Sequence, residues 1–215
     1  MNRKFLSVAV AAALVAGSTA AVAQASKPWY GGVSIGQSKV KIDNNPFAVP
    51  AGFTSSGTSK DETDTGYKIF AGYRFNQNFA VEGGWTDFGK FSTTQTFSAP
   101  AGSVGASFKA SGWHVDAVGI WPLQNNFSLF GKLGGIYTEM KTSLSTSGSI
   151  TFTPGAQTSA KKSEFNLKYG LGAQYDINQS IGIRAEWERA SKVGDANSTG
   201  EADIDLLSVG LVYRF

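Results

Sequence analysis

The sequence has no cysteine, one histidine and six prolines among its 215 residues. Without cysteine there can be no disulfide framework and no thiolate metal site, and a single histidine excludes a histidine-rich one. Beyond the N-terminal segment, no apolar run approaches the ~20 residues that a membrane-spanning helix needs. No amphipathic stretch of useful helical length appears either. Phosphate-loop and dinucleotide fingerprints are missing, and no G-x-S-x-G elbow singles out a nucleophilic serine. No cofactor is therefore expected. What the chain does hold in quantity is glycine, with 26 residues, and aromatic side chains, at 13%.

The N-terminus reads as an export leader. Arg3 and Lys4 precede the apolar run from Phe5 to Ala16, and small residues lead on to Ala23-Gln24-Ala25. That is the layout of a secretory signal peptide over 1–25, with cleavage after Ala25, or after Ala23 as the near alternative. Its removal leaves 17 Lys and Arg against 16 Asp and Glu, a formal charge of +1 rather than +3. The basic isoelectric point thus overstates the mature chain, and no basic patch points to nucleic acid.

Residues 26–215 read as one all-β domain. Eight segments alternate apolar and polar residues: Trp29–Val40, Thr65–Phe75, Phe79–Phe88, Phe108–Trp121, Phe127–Glu139, Glu164–Asp176, Ser180–Ala190 and Ala202–Phe215. Their lengths suit the ~9–11 residues of a tilted strand crossing a bilayer. Short connections at Asn76-Gln77-Asn78, Pro122 to Asn126 and Asn178-Gln179 alternate with long ones near 41–64, 89–107, 140–163 and 191–201. The long ones are rich in Ser, Thr and Gly, hold Pro46, Pro50, Pro100 and Pro154, and read as solvated irregular loops. This alternation predicts an eight-stranded antiparallel up-and-down transmembrane β-barrel, with short periplasmic turns and long extracellular loops.

Face polarity separates a membrane barrel from a soluble one. Val33, Ile35, Ile69, Val81, Val115, Leu133, Leu171 and Ile183 share one face. Lys68, Arg74, Glu82, Asp116, Lys132, Gln174, Arg184, Glu186 and many glycines share the other. A soluble barrel would bury the apolar set; here the charges must line the lumen. Aromatics on the apolar face fall at two heights. Trp29, Tyr73, Trp121 and Tyr175 lie near the short turns, whereas Tyr67, Trp85, Trp113, Tyr137, Tyr169 and Trp187 lie near the long loops. Two such girdles fit two water–lipid interfaces.

The stretches G-Y-R-F-N-Q-N-F-A-V-E-G-G-W (72–85), F-G-K-L-G-G (130–135), Y-G-L-G-A-Q-Y-D-I (169–177), I-R-A-E-W (183–187) and the closing V-G-L-V-Y-R-F resemble the transmembrane domain of the OmpA-like outer-membrane proteins. The resemblance covers the whole mature chain. It implies residence in the outer membrane of a Gram-negative-type cell, lipid and lipopolysaccharide as surroundings, and a C-terminal aromatic signal, Tyr213 and Phe215, for the assembly machinery. Many relatives continue into a peptidoglycan-binding domain. This chain stops at Phe215, so that anchoring role is not expected of it. By resemblance, Glu82, Lys132, Arg184 and Glu186 occupy positions of an interior charge network. The chain departs from the family at Val118, where a lysine is usual, and at Gln174, where a glutamate is usual; Asp116 is expected to compensate in part.

Glu82, Asp116, Lys132, Arg184 and Glu186 should therefore pair across the lumen roughly 10–18 Å above the periplasmic rim, at ~3.3 Å per residue and a ~40° tilt. The plain expectation is a lock that fills a narrow interior. The sharper one is a gate, in which Arg184 exchanges carboxylate partners to admit small solutes. His114 and Asp116 face inward two residues apart, but without a marked serine they do not make a hydrolase. The expected protein is not an enzyme but a monomeric, mainly structural barrel with weak passage of ions or small solutes. The alternative is recognition or adhesion through the surface loops.

Overall fold

In the computed structural model the described residues are 27–41, 52–151, 155, 157–195 and 200–215. The leader assigned to 1–25, Pro46, Pro50 and Pro154 lie outside them. The described chain is all β: β1 Trp29–Val40, β2 Thr54–Asp61, β3 Thr63–Arg74, β4 Phe79–Ala99, β5 Ala101–Pro122, β6 Phe127–Gly148, β7 Ser159–Asp176, β8 Ile181–Asp195 and β9 Gly200–Arg214. Among these residues no helix is long and apolar enough to cross a membrane.

Eight of the strands close a ring in the order β3-β1-β9-β8-β7-β6-β5-β4, and β4 returns to β3. Every pairing is antiparallel. The closing seam joins β1 to β9 from Tyr30↔Arg214 to Val40↔Ile204. The ninth strand, β2, precedes β3, separated from it by Glu62, and pairs with the upper part of β4, from Asp61↔Ser92 onward. Ring closure satisfies the backbone of every stave within the sheet, which is the condition for strands in hydrocarbon.

The short turns follow their residue chemistry. The Asn76 side-chain oxygen accepts from the amides of Asn78 and Phe79 at 2.8 Å, and Asn178 does the same for Ser180 and Ile181 at 2.8 Å. Asn125 and Asn126 adopt positive φ of 58° and 63°, a conformation asparagine tolerates better than most residues.

The long connections depart from expectation. Residues 89–107 are a hairpin rather than an irregular loop: β4 and β5 stay paired up to Ser98↔Ala101, with Pro100 at the tip. Likewise β6 runs to Gly148, and β7 begins at Ser159. The Ser/Thr content that suggests solvated loops here makes alternating ladders above the membrane, and threonine favours extended backbone. Inward Phe91 and Phe97 are buried in that region, which gives the ladders an apolar side.

The polarity is inverted as expected. Trp121 is 72% exposed, whereas Glu82 is fully buried and Arg184 only 4% exposed. The upper girdle is partly a register row: Trp85 opposes Trp113, Trp113 opposes Tyr137 and Tyr137 opposes Phe165. Near the short turns, Trp29 opposes Tyr73 with their rings edge to face at 5.0 Å, and Phe127 opposes Tyr175. Tyr67, Tyr169 and Trp187 complete the upper set, the last two edge to face at 6.0 Å.

Candidate functional site

Large inward side chains need room in an eight-stranded ring, and inward glycines supply it. A Cβ on Gly72 would stand 2.4 Å from the Tyr30 ring, and one on Gly170 would stand 2.9 Å from Glu188 Cγ. Glycine at these places lets a neighbouring strand's long side chain lie across the lumen.

The charges expected to cluster do so, in two tiers. In the lower tier Arg184 Nη1 donates to Glu82 at 2.7 Å, Tyr30 donates to the same carboxylate at 2.8 Å, and Lys132 Nζ pairs with Glu82 at 2.6 Å. Gln174 accepts from Arg184 Nε and Nη2 at 3.1 and 3.0 Å. The amide thus keeps the acceptor that the family's glutamate would present, without its charge.

In the upper tier Lys132 bridges to Glu186 at 2.7 Å, and Lys68 pairs with both Glu186 and Glu188. Lys168 joins Glu188 to Asp116 at 2.7 Å each, and His114 Nδ1 lies 2.9 Å from Asp116 Oδ2. Asp116 therefore serves Lys168 and His114 and does not substitute for a charge at Val118 or Gln174. Val118 is instead buried among apolar residues.

Lys68, Lys132, Lys168 and Arg184 face Glu82, Asp116, Glu186 and Glu188, so the cluster balances in formal charge. All eight side chains are at most 4% exposed. Isolated charges in so dry a place would be very costly, and pairing with hydrogen bonds offsets that cost. The cations also lie over aromatic rings: Arg184 over Phe130 and Phe70 at 4.7 and 4.9 Å, and Lys132 over Phe130 at 5.3 Å.

Three members, Lys68, Lys168 and Glu188, were not among the expected site residues. Lys68 carries the inward parity. Glu188 continues the alternation of Arg184 and Glu186 by one step, a signal present in the sequence.

An apolar plug stands at either end of the charged layer. Toward the short turns it comprises Tyr30, Phe70, Ala80, Val118, Ile120, Phe130 and Val212. Toward the surface it comprises Val40, Phe88, Phe91, Ala110, Ile136, Ala190, Val193, Ile204 and Leu206. Ions crossing the lumen would have to leave water twice. His114 and Asp116 are sealed between these plugs, away from any substrate arriving from outside. Among the described residues no group of three or more His, Cys, Asp or Glu is placed to hold a metal ion.

The closing strand places Tyr213 and Phe215 on the outer face, both more than half exposed, with rings stacked at 6.2 Å. The Phe215 amide donates to Trp29 O at 3.1 Å, so pairing continues to the last residue.

Comparison with known proteins agrees with this architecture. Outer membrane protein A of Salmonella typhi is 27% identical over 211 residues, which cover 96% of this chain and 55% of the relative. The protein of the same name from Yersinia pseudotuberculosis is 28% identical over 218 residues, covering 99% of this chain and 56% of the relative. The chain thus spans about half the length of the curated relatives it matches. Among solved structures, the Neisserial surface protein A superposes with a TM-score of 0.56 at 14% identity, covering 87% of this chain and 97% of that one, a likeness of fold. The match to the OmpA-like transmembrane domain extends over residues 24–215, and this chain is a member of that family, a β-barrel of the bacterial outer membrane and not an enzyme.

Proposed function

We propose that this barrel is chiefly a structural element of the outer membrane, with its lumen locked rather than gated. The carrying observation is the balanced ion-pair layer between two apolar plugs. A gate would require Arg184 to leave Glu82, yet Glu186 is already held by Lys132 and Lys68. Passage of ions or small solutes is accordingly slight. Planar-bilayer conductance of the refolded barrel tests this reading: sustained unitary currents in the unmodified protein would sink it. In cells, deletion should sensitise the envelope to detergents and large antibiotics, and barrels with a neutralised lumen should restore resistance if they fold.

Recognition through the outer hairpins is the second reading. It is supported by the β4–β5 and β6–β7 ladders, which give the surface end an ordered wall rather than loose coil. Whole-cell binding to candidate surfaces, with segments 41–64 and 140–163 deleted in turn, tests it. As further parts of the reading, the protein is a monomer with a cleaved leader over 1–25, and Tyr213 and Phe215 serve as its signal to the assembly machinery.

A further inference from the structure

Four lysines fall on one register row of the outer wall. Lys90 opposes Lys109, Lys109 opposes Lys141, and Lys141 opposes Lys161, on β4, β5, β6 and β7. Like charges placed directly opposite on neighbouring strands repel and destabilise a sheet, so four in a row call for a counter-charge. Asp87 and Glu139 provide part of it: Lys109 lies 3.4 Å from Asp87, while Lys141 and Lys161 lie 3.1 and 2.7 Å from Glu139. A third carboxylate, Asp64, accepts from the Lys90 amide at 2.6 Å, so four ammonium groups against three carboxylates leave a formal excess of one positive charge. The side chains of Lys109, Lys141 and Lys161 remain 58%, 60% and 59% exposed, so their charge is presented outward.

The next outward row above the lysines consists of serines: Ser92 opposes Ser107, Ser107 opposes Ser143, and Ser143 opposes Ser159. Below the lysines, on the same face, is the Trp85–Trp113–Tyr137–Phe165 row. The same four strands therefore present, in ascending order, rings for lipid, ammonium groups and then hydroxyls. Because register rows run across tilted strands, the lysine row climbs obliquely. At ~3.3 Å per residue and a ~40° tilt it lies about 27–35 Å above the lower aromatics, just beyond the ~25 Å apolar band. That is headgroup height. With strands ~4.8 Å apart, the row spans roughly 15 Å, the width of a sugar headgroup rather than of a single phosphate.

Resting on the outer-membrane reading, the geometry points to a specific lipid site: the β4–β7 wall binds the phosphorylated sugar headgroup of an outer-leaflet glycolipid. Its phosphates sit on Lys90, Lys109, Lys141 and Lys161, its sugar hydroxyls meet the serine row, and its acyl chains descend over the aromatic row. Ammonium groups hold phosphates as point charges, and those phosphates supply the counter-charge that the lysine row lacks. General immersion in lipid would not require this alignment, and the lysine row is confined to one wall of the barrel.

The test is native mass spectrometry of the refolded barrel in detergent with bis-phosphorylated lipid A, and with the same lipid dephosphorylated. Lipid A should bind with a saturable stoichiometry, dephosphorylated lipid on the order of tenfold or more weakly, and the difference should shrink with salt. The quadruple variant K90Q/K109Q/K141Q/K161Q should lose the same margin. Heat-modifiable migration on gels establishes that it has folded; if it has not, K109Q/K141Q serves in its place. Equal binding of the two lipids, or undiminished lipid A binding by a folded variant, would overturn the site. Either result would leave a folded outer-membrane barrel intact, so failure of this inference is distinct from failure of the barrel reading.

Discussion

Arg184 and Glu82 meet across the lumen at 2.7 Å, on strands β8 and β4 that are not neighbours in the ring. The pair therefore ties opposite walls together, and the ring cannot change its cross-section without stretching it. Arg184→Ala would leave the Glu82 carboxylate short of its guanidinium in a dry interior. It should cost about 3–5 kcal/mol in urea unfolding of the refolded barrel, as breaking a buried pair does. Arg184→Met combined with Glu82→Gln should recover much of that loss, because it removes both charges while keeping the volume. A single-variant loss below 1 kcal/mol would show that the pair is not a tie.

Conductance should follow the plugs rather than the arginine. Phe70 and Phe130 flank Arg184 within the lower plug. Phe70→Ala with Phe130→Ala removes two rings from the lower plug and should raise the frequency of single-channel openings above that of Arg184→Ala. Were Arg184→Ala alone to give the larger current, the charged layer would be the barrier instead.

Glycine positions give a graded packing test. A Cβ on Gly84 would lie 2.3 Å from Ile69 O and 2.9 Å from His114 Nε2, whereas one on Gly119 meets nothing within 4 Å. Gly84→Ala should destabilise by about 1–3 kcal/mol, as overpacking does. Gly119→Ala should stay within about 0.5 kcal/mol. Equal unfolding midpoints for the two would contradict the arrangement of the lumen.

The lysine row has a signature in acid titration. Hydrogen bonds from Lys161 and Lys141 hold the Glu139 carboxyl below its ordinary pKa. A depressed carboxyl pKa contributes stability that is present above the unfolded value and is lost as pH falls through the folded one. Glu139 is exposed, so the contribution is small and screened by salt. Carbon-13 NMR of the side chain should show the depressed midpoint in the native protein and a rise toward the ordinary value in Lys161→Gln. An unchanged midpoint would mean that the contact does not persist in solution.

Phe215→Asp should impair insertion before it affects the lumen. The Phe215 ring lies outside the ring of strands, stacked with Tyr213 and far from the charged layer. The expected result is a fall in heat-modifiable barrel in the outer-membrane fraction, with normal stability of whatever does fold. Normal insertion would remove the assembly role from these aromatics.

Much of the architecture was legible because lipid outside and polar groups inside reverse the usual pattern. Strand parity thus carried the distinction for Val33, Leu133 and Leu171 against Glu82, Lys132 and Arg184. What parity could not register was the inward apolar residue. Phe70, Phe88, Phe130 and Ile136 sit at inward positions where a polar lumen offers no reason to expect them, so the two plugs went unseen. Composition misled in the outer hairpins, because Ser and Thr in 89–107 look the same in a loop as in a solvated ladder. Register was beyond reach as well: nothing in the linear order shows that Lys90, Lys109, Lys141 and Lys161 share a row, since pairing distances change at the bulge between Asp87 and Lys90.

The seam between β1 and β9 has a temporal consequence. Tyr30 is paired with Gly72 on one side, but across the seam it finds its backbone partner only at Arg214, so the ring has no closed form shorter than nearly its full length. Every nascent chain carries two unpaired edges until the last strand is available, and such edges invite pairing with other chains. A barrel of this kind must travel unfolded and close only at its destination, so escorting and timing are demands that the topology itself imposes.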